Sequence, residues 1–158
     1  MLRLITLATL IGAAAGLRTT VAPAAVSWAA YLGRLDLGDS WLAFLGYTYT
    51  PFILTFVVLG ELIADKLPFT ESRTVPMQFS ARILSGALCG AALGTAAGAV
   101  IVGIAFGIAG AVIGTLGGHA FRARLASAFG RDLPAAIIED IIAIGGAVLI
   151  VMTVGWSG

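Results

Sequence analysis

The sequence predicts an all-α fold, a polytopic transmembrane helix bundle of about five spans, and three observations carry that expectation. The chain of 158 residues is 59% hydrophobic and 11% charged, with a mean hydropathy of +1.04, whereas soluble domains carry roughly 25% charged residues. The stretch 83–118 contains no charged side chain. Within it Gly86, Gly90, Gly94 and Gly98 recur every fourth residue, and Gly103, Gly107, Gly110, Gly114 and Gly118 continue the file. A glycine inside a helix in water costs ~1 kcal/mol relative to alanine, but in a bilayer a file of small residues lets two helix backbones touch. Glycine-zipper packing within lipid is the expected result.

A crossing of ~30 Å of hydrocarbon takes ~20 residues. The first apolar stretch, about 4–32, is long enough for one tilted span interrupted only by Arg18. Its start imitates a signal peptide, with Arg3 ahead of an apolar run and Ala13-Ala14-Ala15 as a small-residue site. Apolar sequence resumes at Val21, so a retained first span is expected. The second span covers about 41–64. The 36 residues from Ile83 to Gly118 would make ~54 Å of helix, too much for one crossing. The glycine rhythm slips between Gly98 and Gly103, which predicts a tight turn between two short spans, about 81–100 and 103–120. The last span, about 134–156, opens with Pro134 in its first turn, where the missing N–H costs nothing. No polar segment is long enough for a separate module, so one transmembrane domain covers residues 1–158.

Five spans place Arg3, Lys66, Arg73, Arg82, Arg122, Arg124 and Arg131 on one side and Arg34 on the other. By the positive-inside rule the first side is cytoplasmic. The sequence therefore predicts a multi-pass protein of the bacterial inner membrane with a cytoplasmic N-terminus and an external C-terminus. Trp28, Trp41 and Trp156 then fall at the outer boundary, as an aromatic belt would. An offset of 79 residues sets Arg3-Leu4-Ile5-Thr6 against Arg82-Ile83-Leu84-Ser85 and Glu61-Leu62-Ile63-Ala64 against Asp140-Ile141-Ile142-Ala143. This is at most a weak internal repeat, since apolar sequence matches itself by chance.

The residues least suited to lipid are the candidates for function. Arg18 lies midway along the first stretch, where an arginine costs at least ~2.5 kcal/mol, so it needs a partner. Around it, Gly16-Leu17-Arg18-Thr19-Thr20-Val21-Ala22-Pro23 combines a glycine, hydroxyls and a proline that favour a helix break. Such a break would aim the positive end of a half-helix, with Thr19 and Thr20, at whatever Arg18 holds. Substrate binding by Arg18 and simple pairing to an acidic neighbour both fit. Glu61, Glu139 and Asp140 share one depth and are candidate proton or ion relays, because low dielectric and like charges favour protonated carboxyls. Plain ion pairing is the alternative. Tyr47-Thr48-Tyr49-Thr50-Pro51 would break the second span, and Tyr47 and Tyr49 could line a polar vestibule or anchor at the interface.

Leu67 to Pro76 reads as a short polar loop bounded by two prolines. Arg122, Arg124 and Arg131, beside His119, form a basic patch suited to anionic lipid headgroups at ~1 kcal/mol per residue or to fixing topology. His119 has no second histidine or cysteine at metal-ligand spacing. Cys89, the single cysteine, fits a small packing residue. No nucleophile elbow, Walker loop or zincin helix is present, so neither an enzyme nor a cofactor is expected, and nothing points to nucleic acid.

Taken together, the Gly16–Pro23 run, Glu61-Leu62-Ile63-Ala64-Asp65-Lys66-Leu67-Pro68, Arg73-Thr74-Val75-Pro76 and Ala81-Arg82 to Gly86-Ala87 resemble a family of small bacterial integral membrane proteins known only as a domain of unknown function. The resemblance covers most of the chain and implies no activity. The residues themselves favour a small secondary transporter or channel-like permease. It would be a homodimer, passing a small polar or anionic solute near Arg18, Thr19 and Thr20, with coupling protons on Glu61 and Asp140. The rival is a non-transporting membrane scaffold or assembly factor, and an enzyme acting on lipid headgroups comes third.

Overall fold

A computed structural model describes residues 1–64 and 76–154. They form six α-helices: α1 (Leu2–Leu17), α2 (Val21–Tyr31), α3 (Thr50–Ala64), α4 (Pro76–Ala96), α5 (Val100–Phe129) and α6 (Asp132–Val154), with one 3-10 turn at Ala43–Gly46 ahead of α3. No strand occurs among the described residues. Helices α4, α5 and α6, of 21, 30 and 23 residues, are long and apolar enough to cross a membrane, and α1 and α3 are shorter apolar helices. The chain is an all-helical membrane protein. The expected loop from Leu67 to Pro76, except for Pro76 itself, lies outside the described residues, as do Lys66 and Trp156.

The first apolar stretch is not one tilted span. Arg18 leaves the helical region at φ −138°, ψ 117°, and the chain turns back through Thr19 and Thr20. Contacts fix the direction of each helix. Arg3 donates to the Thr153 carbonyl, and Arg3 and Leu4 share a cleft with Gly33, Arg34, Ala97 and Val154. At the other end of α1, the Gly16 and Leu17 carbonyls meet Arg82. The start of α1 and the end of α2 therefore lie at one end of the bundle, and the pair forms a helical hairpin. An arginine with a fixed partner and Pro23 in the first turn of α2, where proline is tolerated, favour the turn over a continuous helix, while Gly16, still helical, lets the end of α1 approach the Ala111 oxygen of α5.

Helix α3 then runs back along the hairpin from the end of α2 to its tip. The Trp28 indole donates to Thr55 Oγ1 over 3.1 Å and Phe52 packs edge-on against Trp28 and Tyr31, so α3 starts beside the end of α2. It finishes with Glu61 at the hairpin tip. Helices α4, α5 and α6 follow in alternating directions. As a result α1, α2 and α3 run antiparallel to α4, α5 and α6 respectively.

Helix α5 sits between α1 and α4, and its glycines set the separation. A Cβ on Gly90 would lie 2.1 Å from the Gly103 oxygen, and one on Gly107 2.2 Å from the Gly86 oxygen. On the side facing α1, a Cβ on Gly110 would lie 2.0 Å from the Thr9 oxygen and one on Gly114 2.2 Å from the Ala13 oxygen. Backbone touches backbone along both seams, a geometry only glycine permits.

The turn between α4 and α5 falls at residues 97–99, with Gly98 at φ +67°. Helix α5 then continues well past Gly118. Residues 121–129, expected as loop, are helical, because Ala120, Ala123, Ala126 and Ala128 favour helix until Gly130, in the left-handed region at φ 65°, ends it. Outward-facing side chains such as Phe56, Ile101 and Leu149 are exposed, as suits a surface solvated by lipid.

Candidate functional site

The hairpin tip gathers most of the buried polar side chains of the described residues. Helix α1 ends with free carbonyls and the turn into α2 presents the Thr19 and Thr20 amides, and each set is matched by a charge of the opposite sign from another helix. Arg82 of α4, 3% exposed, donates Nη1 to the Gly16 and Leu17 carbonyls, each over 2.7 Å. The negative end of the α1 dipole thus faces a guanidinium. Glu61 of α3 accepts the Thr19 and Thr20 N–H groups over 2.8 and 2.9 Å and the Thr20 hydroxyl over 2.5 Å. A carboxylate therefore occupies the start of α2, a ready-made anion site.

Arg18 points the other way. It is fully buried and pairs with Asp140 of α6, which offsets the cost of placing it in the bundle. Ser85 donates to the Thr19 carbonyl over 2.5 Å, and Thr115 donates to Ala111 and, at 3.3 Å, to Gly16. Glu139, 1% exposed and next to Asp140, turns to Arg122 Nη1 at 3.6 Å. Adjacent helical residues project ~100° apart, which sends the two carboxylates to different cations.

Of the residues singled out in the sequence, the structure brings Arg18, Thr19, Thr20, Glu61 and Asp140 together. The Thr19 and Thr20 amides meet Glu61, however, and not the group Arg18 holds. Tyr47 and Tyr49 stand apart, 64% and 77% exposed, just before α3, whose first turn already contains Pro51. Proline is tolerated there, so this segment starts a helix and does not interrupt one. Arg122 is engaged with Asp132 through Nε at 2.9 Å and Nη2 at 2.5 Å, which leaves Arg124 and Arg131 as the exposed members of the basic patch. Sequence reasoning missed Arg82, Ser85 and Thr115. Arg82 was counted as a loop charge, although its place against the uncharged run from Ile83 marked it as an arginine at the edge of the membrane phase.

The hydroxyls at the tip also border a second feature. Thr19, Thr20 and Ser85 line one end of a cleft of about 550 Å³ whose other walls are apolar, including Leu54, Leu88 and Ile104.

A family model described as Domain of unknown function (DUF4126) matches residues 5–154. No curated protein matches the chain. No solved structure matches it either.

Proposed function

Because the chain belongs to the DUF4126 family, whose description names no activity, we propose its function from the helix break: a small proton-coupled secondary transporter or channel-like permease for a small polar or anionic solute. One observation carries the reading. The anion site at the start of α2 is filled by Glu61, a titratable side chain of the protein itself. Ionised, Glu61 holds α3 to the hairpin tip through charge-assisted hydrogen bonds. Protonated, it keeps only neutral ones, about half as strong, and the Thr19 and Thr20 amides are released to a solute anion. A proton on Glu61 and an anion on α2 would then move together. Broken helices recur at the binding sites of transporters, and the break between α1 and α2 follows that pattern.

Orientation is part of the proposal. The end of α3 and the start of α4 lie on the side of Arg122, Arg124 and Arg131, while Arg3 and Arg34 lie at the opposite end. Three cations against two among the described residues, with Arg18 and Arg82 buried, favour the first side as cytoplasmic in the inner membrane. The N-terminus is then external, four helices cross, and α1–α2 dips in from outside. Glycine-zipper contacts hold α5 between its neighbours. The homodimer would form where Gly60, Gly117 and Gly145 have open space around them.

The test is proton flux in proteoliposomes. Wild-type protein should acidify the lumen when a small carboxylate or inorganic anion gradient points inward, and Glu61→Gln should abolish that coupling while remaining folded. No flux above empty liposomes across a broad anion panel would favour the second reading, a non-transporting scaffold. That reading has its own support, since Gly16, Leu17, Thr19 and Thr20 all have partners and Arg18 is paired, as a rigid structural tip would require.

A further inference from the structure

A second cleft, of about 450 Å³, opens at the end of the bundle that carries Arg3. Its volume lies within the roughly 300–1,000 Å³ of small-ligand sites. Leu4, Leu7 and Leu93 form apolar walls, and Arg3, Arg34 and Asp36 stand at the mouth. Leu35 and Leu37 are buried in the core, so the segment between α2 and α3 is pinned, with Asp36 between the two anchors and Arg34 directly ahead of them. Arg3 is oriented by its hydrogen bond to the Thr153 carbonyl. The Asp36 carboxylate accepts the Gly38 N–H over 2.8 Å. The Arg34 guanidinium has no hydrogen-bond or ion-pair partner among the described residues.

We infer that this cleft binds an amphiphilic anion, a phosphate or carboxylate headgroup held between Arg3 and Arg34 with its apolar chain lying on Leu4, Leu7 and Leu93. Guanidinium groups match the planar oxygen pairs of such headgroups, and leucine walls reject a fully hydrated inorganic ion. The cleft lies at the helix ends, the depth at which bilayer headgroups meet the protein. The ligand comes either from the bilayer, as an anionic phospholipid, or from solution, as a single-chain acid. The inference does not depend on transport through the hairpin tip, which lies at the opposite end of α1.

The experiment uses full-length protein in an uncharged detergent, with binding read by native mass spectrometry and thermal shift. Decyl phosphate and phosphatidylglycerol are the two probes, with inorganic phosphate and phosphatidylcholine as comparisons. Decyl phosphate is expected to bind and raise the melting temperature, and Arg34→Gln to weaken it about tenfold, the loss expected for one charge-assisted hydrogen bond. Gln78→Ala, at the start of α4 at the other end of the bundle, should leave binding unchanged. Retention of phosphatidylglycerol as well identifies a bilayer lipid, and retention of decyl phosphate alone identifies a soluble acid. Equal binding of phosphatidylcholine or of inorganic phosphate, or equal losses in Arg34→Gln and Gln78→Ala, would overturn the inference. Arg34 is exposed, so its replacement leaves the fold intact.

Discussion

Arg18 and Asp140 form an ion pair inside the bundle that joins the tip of the α1–α2 hairpin to α6. Breaking a buried pair by removing one partner leaves an uncompensated charge, at ~3–5 kcal/mol. Arg18→Ala should therefore lower stability by that amount in detergent unfolding. The double replacement Arg18→Met with Asp140→Leu should cost clearly less, since no charge is stranded. Equal losses in the single and double variants would show that Arg18 acts by filling space.

Glu61→Gln retains one acceptor oxygen and loses the charge that faces the Thr19 and Thr20 amides. Hydrogen bonds to charged groups contribute ~1.5–3 kcal/mol against ~1 for neutral ones, so a loss of ~1–2 kcal/mol is expected. Urea or thermal unfolding of the purified variant measures it. A variant as stable as wild type would mean that the Thr19 and Thr20 contacts are energetically neutral.

Two glycine replacements should separate contact from open surface. Gly90→Ala puts a Cβ against the Gly103 carbonyl, and backbone cannot step aside as a flexible side chain can, so α4 and α5 must move apart at ~1–3 kcal/mol. Gly145 has no atom within 4 Å of an added Cβ, and Gly145→Ala should be neutral or stabilising by up to ~1 kcal/mol. Thermal shifts of opposite sign are the expected readout. If a second copy covers Gly145, the dimer and not the monomer would weaken.

The helical hairpin makes a labelling prediction that a single first span does not. Cysteines placed at Leu2 and Asp39, both exposed, should react with a membrane-impermeant maleimide from the same side, and one at Arg124 from the other. The native Cys89 is fully buried and gives little background. Opposite reactivity of Leu2 and Asp39 would restore the single crossing.

Much of the site was legible because membrane charges are rare. Arg18, Glu61, Glu139 and Asp140 stood out against apolar surroundings, and the glycine, hydroxyl and proline neighbours of Arg18 marked a break. What the pattern could not supply was the direction of the chain after that break. Hydropathy treats 4–32 alike whether it crosses or returns, so Arg3 was assigned to the side of Arg124 when it lies beside Arg34. The offset that matched Glu61 to Asp140 misled in a similar way. Both residues meet the same hairpin tip, whereas oppositely threaded halves related by symmetry would place equivalent residues at opposite depths.

The sequence by itself determined the solvent, the helical class and the close approach along the glycine file, because these depend on composition and on spacing within one helix. The tertiary structure alone decided the hairpin, the pairing of Arg18 with Asp140, the capture of the Thr19 and Thr20 amides by Glu61 and the burial of Arg82. Each of these joins groups far apart in the chain, and the partner is chosen by which helices lie side by side once the backbones have packed. Local propensity can announce that a helix breaks. Only the neighbours that satisfy its freed carbonyls and amides determine where the chain goes next.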